Sequence, residues 1–251
     1  MPEATAPARE APAAPPAQEN VLDVRAIHTF IGQFHILEGV TVSVPRGSIT
    51  VLLGRNGAGK TTTLKSIMGL TPPRKGEIIF DGQAIAGMRP YAIARLGIGY
   101  VPEHRAIFRD LTVRENLEIA ARTRDDMDKR LDLIFELFPD LKKLFHLAGG
   151  NLSGGQQQML AIARALVPEN RLLLIDEPSE GLAPVLIEGL IEAIRKLSRQ
   201  TTVLLVEQNF RMASQLADRY TIIDDGISVR DGLMADLVND DATVQRYLGA
   251  A

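Results

Sequence analysis

The 251-residue chain has no cysteine. No disulfide framework and no thiolate chemistry are open to it, which suits a reducing compartment. It also lacks a charge excess: 28 Lys and Arg against 31 Asp and Glu leave a formal −3. That balance gives no general electrostatic reason to bind nucleic acid. No apolar run approaches the roughly 18 residues of a membrane span, so any membrane association has to come through a partner. The four histidines, His28, His35, His104 and His146, show no ligand spacing and read as surface or packing residues. No segment repeats another. A hydrophobic fraction of 45% is ordinary for a globular core, and the length suits one large α/β domain with a subdomain.

What is present begins with a tail. Residues 1–20 are rich in Ala and Pro, with Arg9 as the only base and no apolar h-region, so they are expected to be disordered and are neither a signal nor a transit peptide. Strand-like runs follow at Val21 to His28, Gly39 to Val44 and Ile49 to Leu53, with a further β unit at Glu77 to Phe80. From about Gly87 to Leu166 the pattern turns mainly helical. Met127, Leu131, Ile134, Phe135 and Phe138 fall on one face of a helix that stops before Pro139, as core or as a docking face. After that come a strand at Leu172 to Ile175, a helix at Pro184 to Ser198 and a strand at Thr201 to Val206, a βαβ unit with a parallel pair. A helix at Phe210 to Ala217 and a strand at Tyr220 to Asp224 precede a short polar, helical end.

Three motifs carry chemistry. Gly54-Arg55-Asn56-Gly57-Ala58-Gly59-Lys60-Thr61, with Thr62 next, sits between the apolar strand and a helix expected over Thr61 to Met68. Glycines let the backbone wrap an anion, and the N–H groups at a helix start face phosphates. Lys60 supplies a point charge for the β- and γ-phosphates of a nucleotide, and Thr61 a hydroxyl for Mg²⁺. The strand Leu172 to Ile175 ends in Asp176 and Glu177. Asp176 can hold Mg²⁺, and Glu177 can polarise an attacking water as general base. Leu152-Ser153-Gly154-Gly155-Gln156 is a second glycine-rich helix start, in which Ser153 and Gln156 have capping-box spacing; Thr112 and Glu115 share that spacing.

These three motifs, in this order, resemble the nucleotide-binding subunits of ABC transporters, over roughly Val21 to Gly249. The resemblance implies an α/β P-loop NTPase core, a mixed or parallel sheet with flanking helices and an antiparallel β subdomain, plus a helical subdomain at about residues 87–166. It implies a head-to-tail dimer in which Ser153 and Gly155 of one subunit close on the γ-phosphate held by the other's Lys60. Two membrane permease subunits, a solute-binding protein reached through them, and a position on the cytoplasmic face of the membrane follow from the same resemblance.

The chain departs from that family in places. Glu103 stands where most members have a glutamine, and can face Mg²⁺ or the attacking water. Gln208 replaces the switch histidine, so it can orient a γ-phosphate but not shuttle a proton. Ala183 stands where an aspartate is common. The position of the adenine-stacking aromatic aligns with Ile31, flanked by Phe30 and with Phe34 nearby, and Phe30 is the candidate. Val-Pro-Glu, Pro-Ser-Glu-Gly-Leu-Ala-Pro and Val-Glu-Gln-Asn together look like the importer subgroup for branched-chain and other hydrophobic amino acids, which commonly pairs two different ATPase subunits; a pair of identical chains is the other arrangement. Importers of urea or short amides, and a soluble ABC-type ATPase such as an iron–sulfur assembly scaffold ATPase, are the alternatives.

Overall fold

The computed structural model describes residues 19–123 and 125–249. The expected tail, except for its last two residues, lies outside them, and Asn20 already opens a strand. Two long strands come first, β1 (Asn20–Ile31) and β2 (Phe34–Pro45), then β3 (Ile49–Leu53), which runs into the glycine-rich loop and α1 (Lys60–Ile67). β4 (Lys75–Phe80), β5 (Gln83–Ala84) and α2 (Pro90–Arg95) lead to β6 (Ile98–Val101). Helices α3 (Val113–Glu118), α4 (Asp126–Leu137), α5 (Pro139–Lys143) and α6 (Gly154–Leu166) follow. The chain then alternates through β7 (Leu172–Asp176), α7 (Pro184–Leu197), β8 (Thr202–Val206), α8 (Phe210–Leu216) and β9 (Arg219–Asp224). It goes on to β10 (Ile227–Leu233), α9 (Met234–Leu237) and α10 (Asp241–Leu248).

The strands form two sheets. One is antiparallel, in the order β2-β1-β4-β5; the other runs β10-β9-β3-β8-β7-β6 and is parallel except for β10. The unbroken apolar runs of β3, β7 and β8 follow from burial on both faces. Val51, Leu173 and Leu205 point into the cluster under α6 and α7, while Leu52, Leu174 and Leu204 point into the cluster shared with β1, β2 and α1. Successive side chains thus serve opposite layers, as a period of two requires.

Two strands depart from the sequence reading. β6 lies inside the stretch read as mainly helical, yet joins the core sheet beside β7. Four residues are too few to show a period, and the partner that makes them a strand is some 70 residues away in sequence. β10 was expected to be part of a polar, helical end; it is an edge strand whose Ile227, Val229 and Leu233 are exposed, with Arg230 and Asp231 breaking the apolar pattern. The apolar stripe of α4 is core: Ile134 and Phe138 are buried, and Met127, Leu131 and Phe135 pack against the same cluster.

Candidate active site

Parallel pairing puts the C-terminal ends of β3, β8, β7 and β6 along one edge, which is where ligands meet sheets of this kind. Each strand delivers one part. β3 delivers the loop and Lys60, β8 delivers Glu207 and Gln208, β7 delivers Asp176 and Glu177, and β6 delivers Tyr100 and Glu103. Around this edge lies a cavity of about 450 Å³ lined by the loop and helix start at Asn56, Gly57, Gly59, Lys60, Thr61 and Thr62 and by Glu103, Glu177, Glu180 and Gln208; Tyr100, Asp176 and Glu207 stand behind it.

The loop holds its shape through close backbone approach. Gly54 has φ of 151° and a Cβ there would stand 2.2 Å from the Ile223 carbonyl; at Gly59, with φ of 108°, it would stand 2.6 Å from Leu37. Any other residue at 54 would force the loop off β9, while one at 59 would be strained in its left-handed φ and would displace the end of Leu37. Gly54, Arg55 and Ala58 do not line the cavity: Ala58 is buried, and the Arg55 guanidinium donates to the Arg246 carbonyl at 3.3 Å. Lys60 Nζ donates to the carbonyls of Gly54 at 2.9 Å and Arg55 at 3.2 Å, and lies 3.1 Å from Glu177 Oε1. Glu177 is reached by a turn with φ of 43°, a left-handed conformation that costs a non-glycine residue about 1–3 kcal/mol.

Asp176 is fully buried. Its Oδ1 accepts from Thr61 Oγ1 at 3.0 Å and its Oδ2 from the Tyr100 hydroxyl at 3.2 Å. Burial pushes its carboxyl upward against those two donors, and burial next to this carboxylate also raises the Tyr100 phenol. A hydroxyl and a carboxylate beside a phosphate loop are the oxygen donors a Mg²⁺ ion takes from protein. Among the described residues no group of three or more His, Asp or Glu could hold a metal by itself. Phosphate oxygens and water would therefore complete the shell, as is usual for this ion. Glu207 is 1% exposed and accepts from the backbone N–H groups of Ser179 at 3.1 Å and Asn209 at 3.0 Å; burial raises its carboxyl too. It ties the segment after Glu177 to the segment carrying Gln208.

The structure does not bring the second helix start to this cavity. Ser153 caps α6 by accepting from Gln156 N, Gln156 Oε1 accepts from Ser153 N at 2.9 Å, and Leu152 is buried beneath the turn. Ser153 and Gly154 are exposed. Gly155 packs so closely on α7 that a Cβ would lie 2.5 Å from Leu186 Cδ1.

The stacking assignment needs correction. Phe30 stacks on His35 with 4.1 Å between ring centroids and 3° between planes, and the Arg74 guanidinium lies 4.2 Å over the same ring. His35 and Arg74 thus occupy the Phe30 ring, which does not line the cavity; Ile31, 49% exposed, and Ile36 do. His28 and His35 hydrogen-bond each other at 3.1 Å. Tyr100, Glu180, Glu207 and Ile36 were not singled out from sequence. Glu180 and Glu207 lie one to three residues from assigned positions, which was the available signal.

A phosphate loop, a buried carboxylate beside the loop's threonine and a second carboxylate on its lysine define a nucleotide-binding phosphohydrolase. The family model for ABC transporters matches residues 37–180. The chain is 40% identical over 232 residues to the high-affinity branched-chain amino acid transport ATP-binding protein BraG of Pseudomonas aeruginosa, covering 91% of this chain and all of the relative. It is 37% identical to the probable branched-chain amino acid transport ATP-binding protein LivF of Archaeoglobus fulgidus, over 86% and 94% of the two chains. The ADP conformation of MJ1267, an ATP-binding cassette of an ABC transporter, superposes with a TM-score of 0.81 at 25% identity, over 92% and 100%. The chain belongs to the ABC transporter family, as an ATP-binding subunit that hydrolyses ATP and works with other transporter components.

Proposed function

We propose that this chain hydrolyses Mg²⁺-ATP between two opposed cassettes to drive uptake of branched-chain or other hydrophobic amino acids. The observation that carries the reading is the 40% identity, over 91% of this chain and the whole of the relative, to a branched-chain amino acid transport ATP-binding protein. Residues 21–249 act as one ATPase domain, with the helices of 87–166 as the part that meets two membrane permease subunits at the cytoplasmic face. No helix among the described residues is long and apolar enough to cross a membrane, so the subunit is held there by its partners.

In this reading the phosphate-loop N–H groups, with Lys60, hold the β- and γ-phosphates. Phosphate oxygens compete for the Lys60 ammonium and release the Glu177 carboxylate that it now pairs with. Glu177 takes a proton from the water that attacks the γ-phosphorus, and the bond to the ADP oxygen breaks. The Gln208 amide donates to the γ-phosphate and fixes its direction. Thr61 and Asp176, with Glu103 facing them, would hold Mg²⁺, which supplies neutralising charge for the phosphates. Ser153 and Gly155 come from the opposite cassette, a paralogue by preference and a second copy otherwise.

Purifying the tagged protein from detergent-solubilised native membranes tests this. We expect two hydrophobic subunits and a second cassette to accompany it, and deletion of its gene to abolish uptake of labelled leucine. Recovery from the soluble fraction without a membrane partner contradicts the reading. Unchanged leucine uptake with lost uptake of urea or a short amide moves the substrate to that class.

A further inference from the structure

The segment after β6 turns back on itself, with Arg105 at φ of 60° and Ala106 at 48°, two consecutive left-handed residues that are not glycine. Such a conformation persists where the surroundings hold it. Glu103, at the start of this turn, lines the nucleotide cavity and the pocket beside it, while Arg105, two residues on, lines only that second pocket. The Arg105 Nε donates to Gln158 Oε1 on α6 at 3.2 Å, and its Nη2 donates to the Glu180 carbonyl at 3.4 Å. Its guanidinium also lies over the first helical residue of the second glycine-rich turn: a Cβ on Gly154 would stand 3.2 Å from Arg105 Nη1, and one on Gly181 would stand 3.8 Å from Nη2. Gln158 is 3% exposed and its Nε2 has no partner, so Arg105 is the group that satisfies this buried amide's oxygen.

One planar fork therefore spans the start of α6 and the loop that follows Glu177. No shorter or singly pointed side chain joins two acceptors in this way. We propose that Arg105 is a positioning residue that fixes the spacing between the Ser153–Gly155 turn, which acts on the ATP of the opposing cassette, and the 177–181 loop, which borders this chain's own site. The proposal rests on the opposed-cassette reading above, in which Ser153 acts on another chain's nucleotide.

The test compares Arg105→Ala, Arg105→Lys, Gln158→Leu and the Arg105→Ala/Gln158→Leu double variant, with Ser153→Ala alongside. ATP affinity is measured on the isolated subunit, kcat and KM on the membrane-extracted assembly, and thermal midpoints on both. For Arg105→Ala we expect subunit affinity within about twofold of the parent and assembly kcat lower by about 10- to 100-fold, the cost of a small misplacement far from the chemistry. Arg105→Lys recovers less than half of the loss, and the double variant is no worse than Arg105→Ala, because the two residues act as a unit. Full kcat in Arg105→Ala, or a loss of subunit affinity that accounts for the fall in kcat, overturns the proposal. If Ser153→Ala itself weakens ATP binding by the isolated subunit, the opposed-cassette reading fails and this inference with it. If Ser153→Ala leaves that binding intact while Arg105→Ala turns over normally, only the role of Arg105 is lost.

Discussion

The chain builds two glycine-rich helix starts, at Gly54 to Thr61 and at Leu152 to Gln156, and surrounds them differently. The first is enclosed by its own chain: Lys60 meets Glu177, Thr61 meets Asp176, and Glu103 and Gln208 close the cavity. The second caps its own helix and packs its glycines on Arg105 and Leu186, yet leaves Ser153 exposed and outside the lining of the nucleotide cavity. Both offer unpaired N–H groups to an anion, but only the first has the charge and the base. In the proposed reading, a site needing both is completed by another chain.

The largest effect that sharpens this contrast belongs to the enclosed region. Glu177→Gln keeps the size of the side chain and loses the base, so turnover should fall by about 10²- to 10⁴-fold while ATP affinity is retained. Steady-state ATPase and equilibrium nucleotide binding together decide it, and near-normal turnover would break the assignment. On the second helix start, Ser153→Ala removes a cap and should cost about 0.5–2 kcal/mol, measured by denaturant unfolding. Gly155→Ala displaces only the end of the Leu186 side chain while gaining about 0.5–1 kcal/mol from replacing a helical glycine, so stability should shift by no more than about 1 kcal/mol in denaturant unfolding.

The smallest effect is a pH slope. The folded state holds the Glu207 proton more tightly than the unfolded chain does, because burial raises its carboxyl. Its contribution to stability is therefore present at low pH and is lost as pH rises from the ordinary carboxylate range through the raised value. Glu207→Gln lacks that titration, so wild-type stability minus variant stability should decline over this window and then level off. A difference that is flat with pH would refute it.

Where a segment's role depends on its own residues, the sequence was readable. The apolar runs of β3, β7 and β8, the phosphate loop and the caps at Thr112 and Ser153 all declare themselves within a few positions. Where the role depends on a distant partner, it was not. β6 is a strand because β7 lies beside it, and the Phe30 ring is occupied because His35 and Arg74 lie against it. Gly155 looked like clearance for a phosphate and is also clearance for Leu186. The left-handed turn at Arg105 has no glycine to announce it.

The central claim is that this chain's own Ser153 is no part of the nucleotide site its Lys60 belongs to. Titrating ATP into the isolated subunit, kept dilute enough to stay single, compares the parent with Ser153→Ala and Lys60→Ala most directly. Lys60→Ala should lose affinity and Ser153→Ala should keep it, with turnover of the Ser153 variant falling only in the assembly. Equal loss of affinity in both variants would contradict the claim.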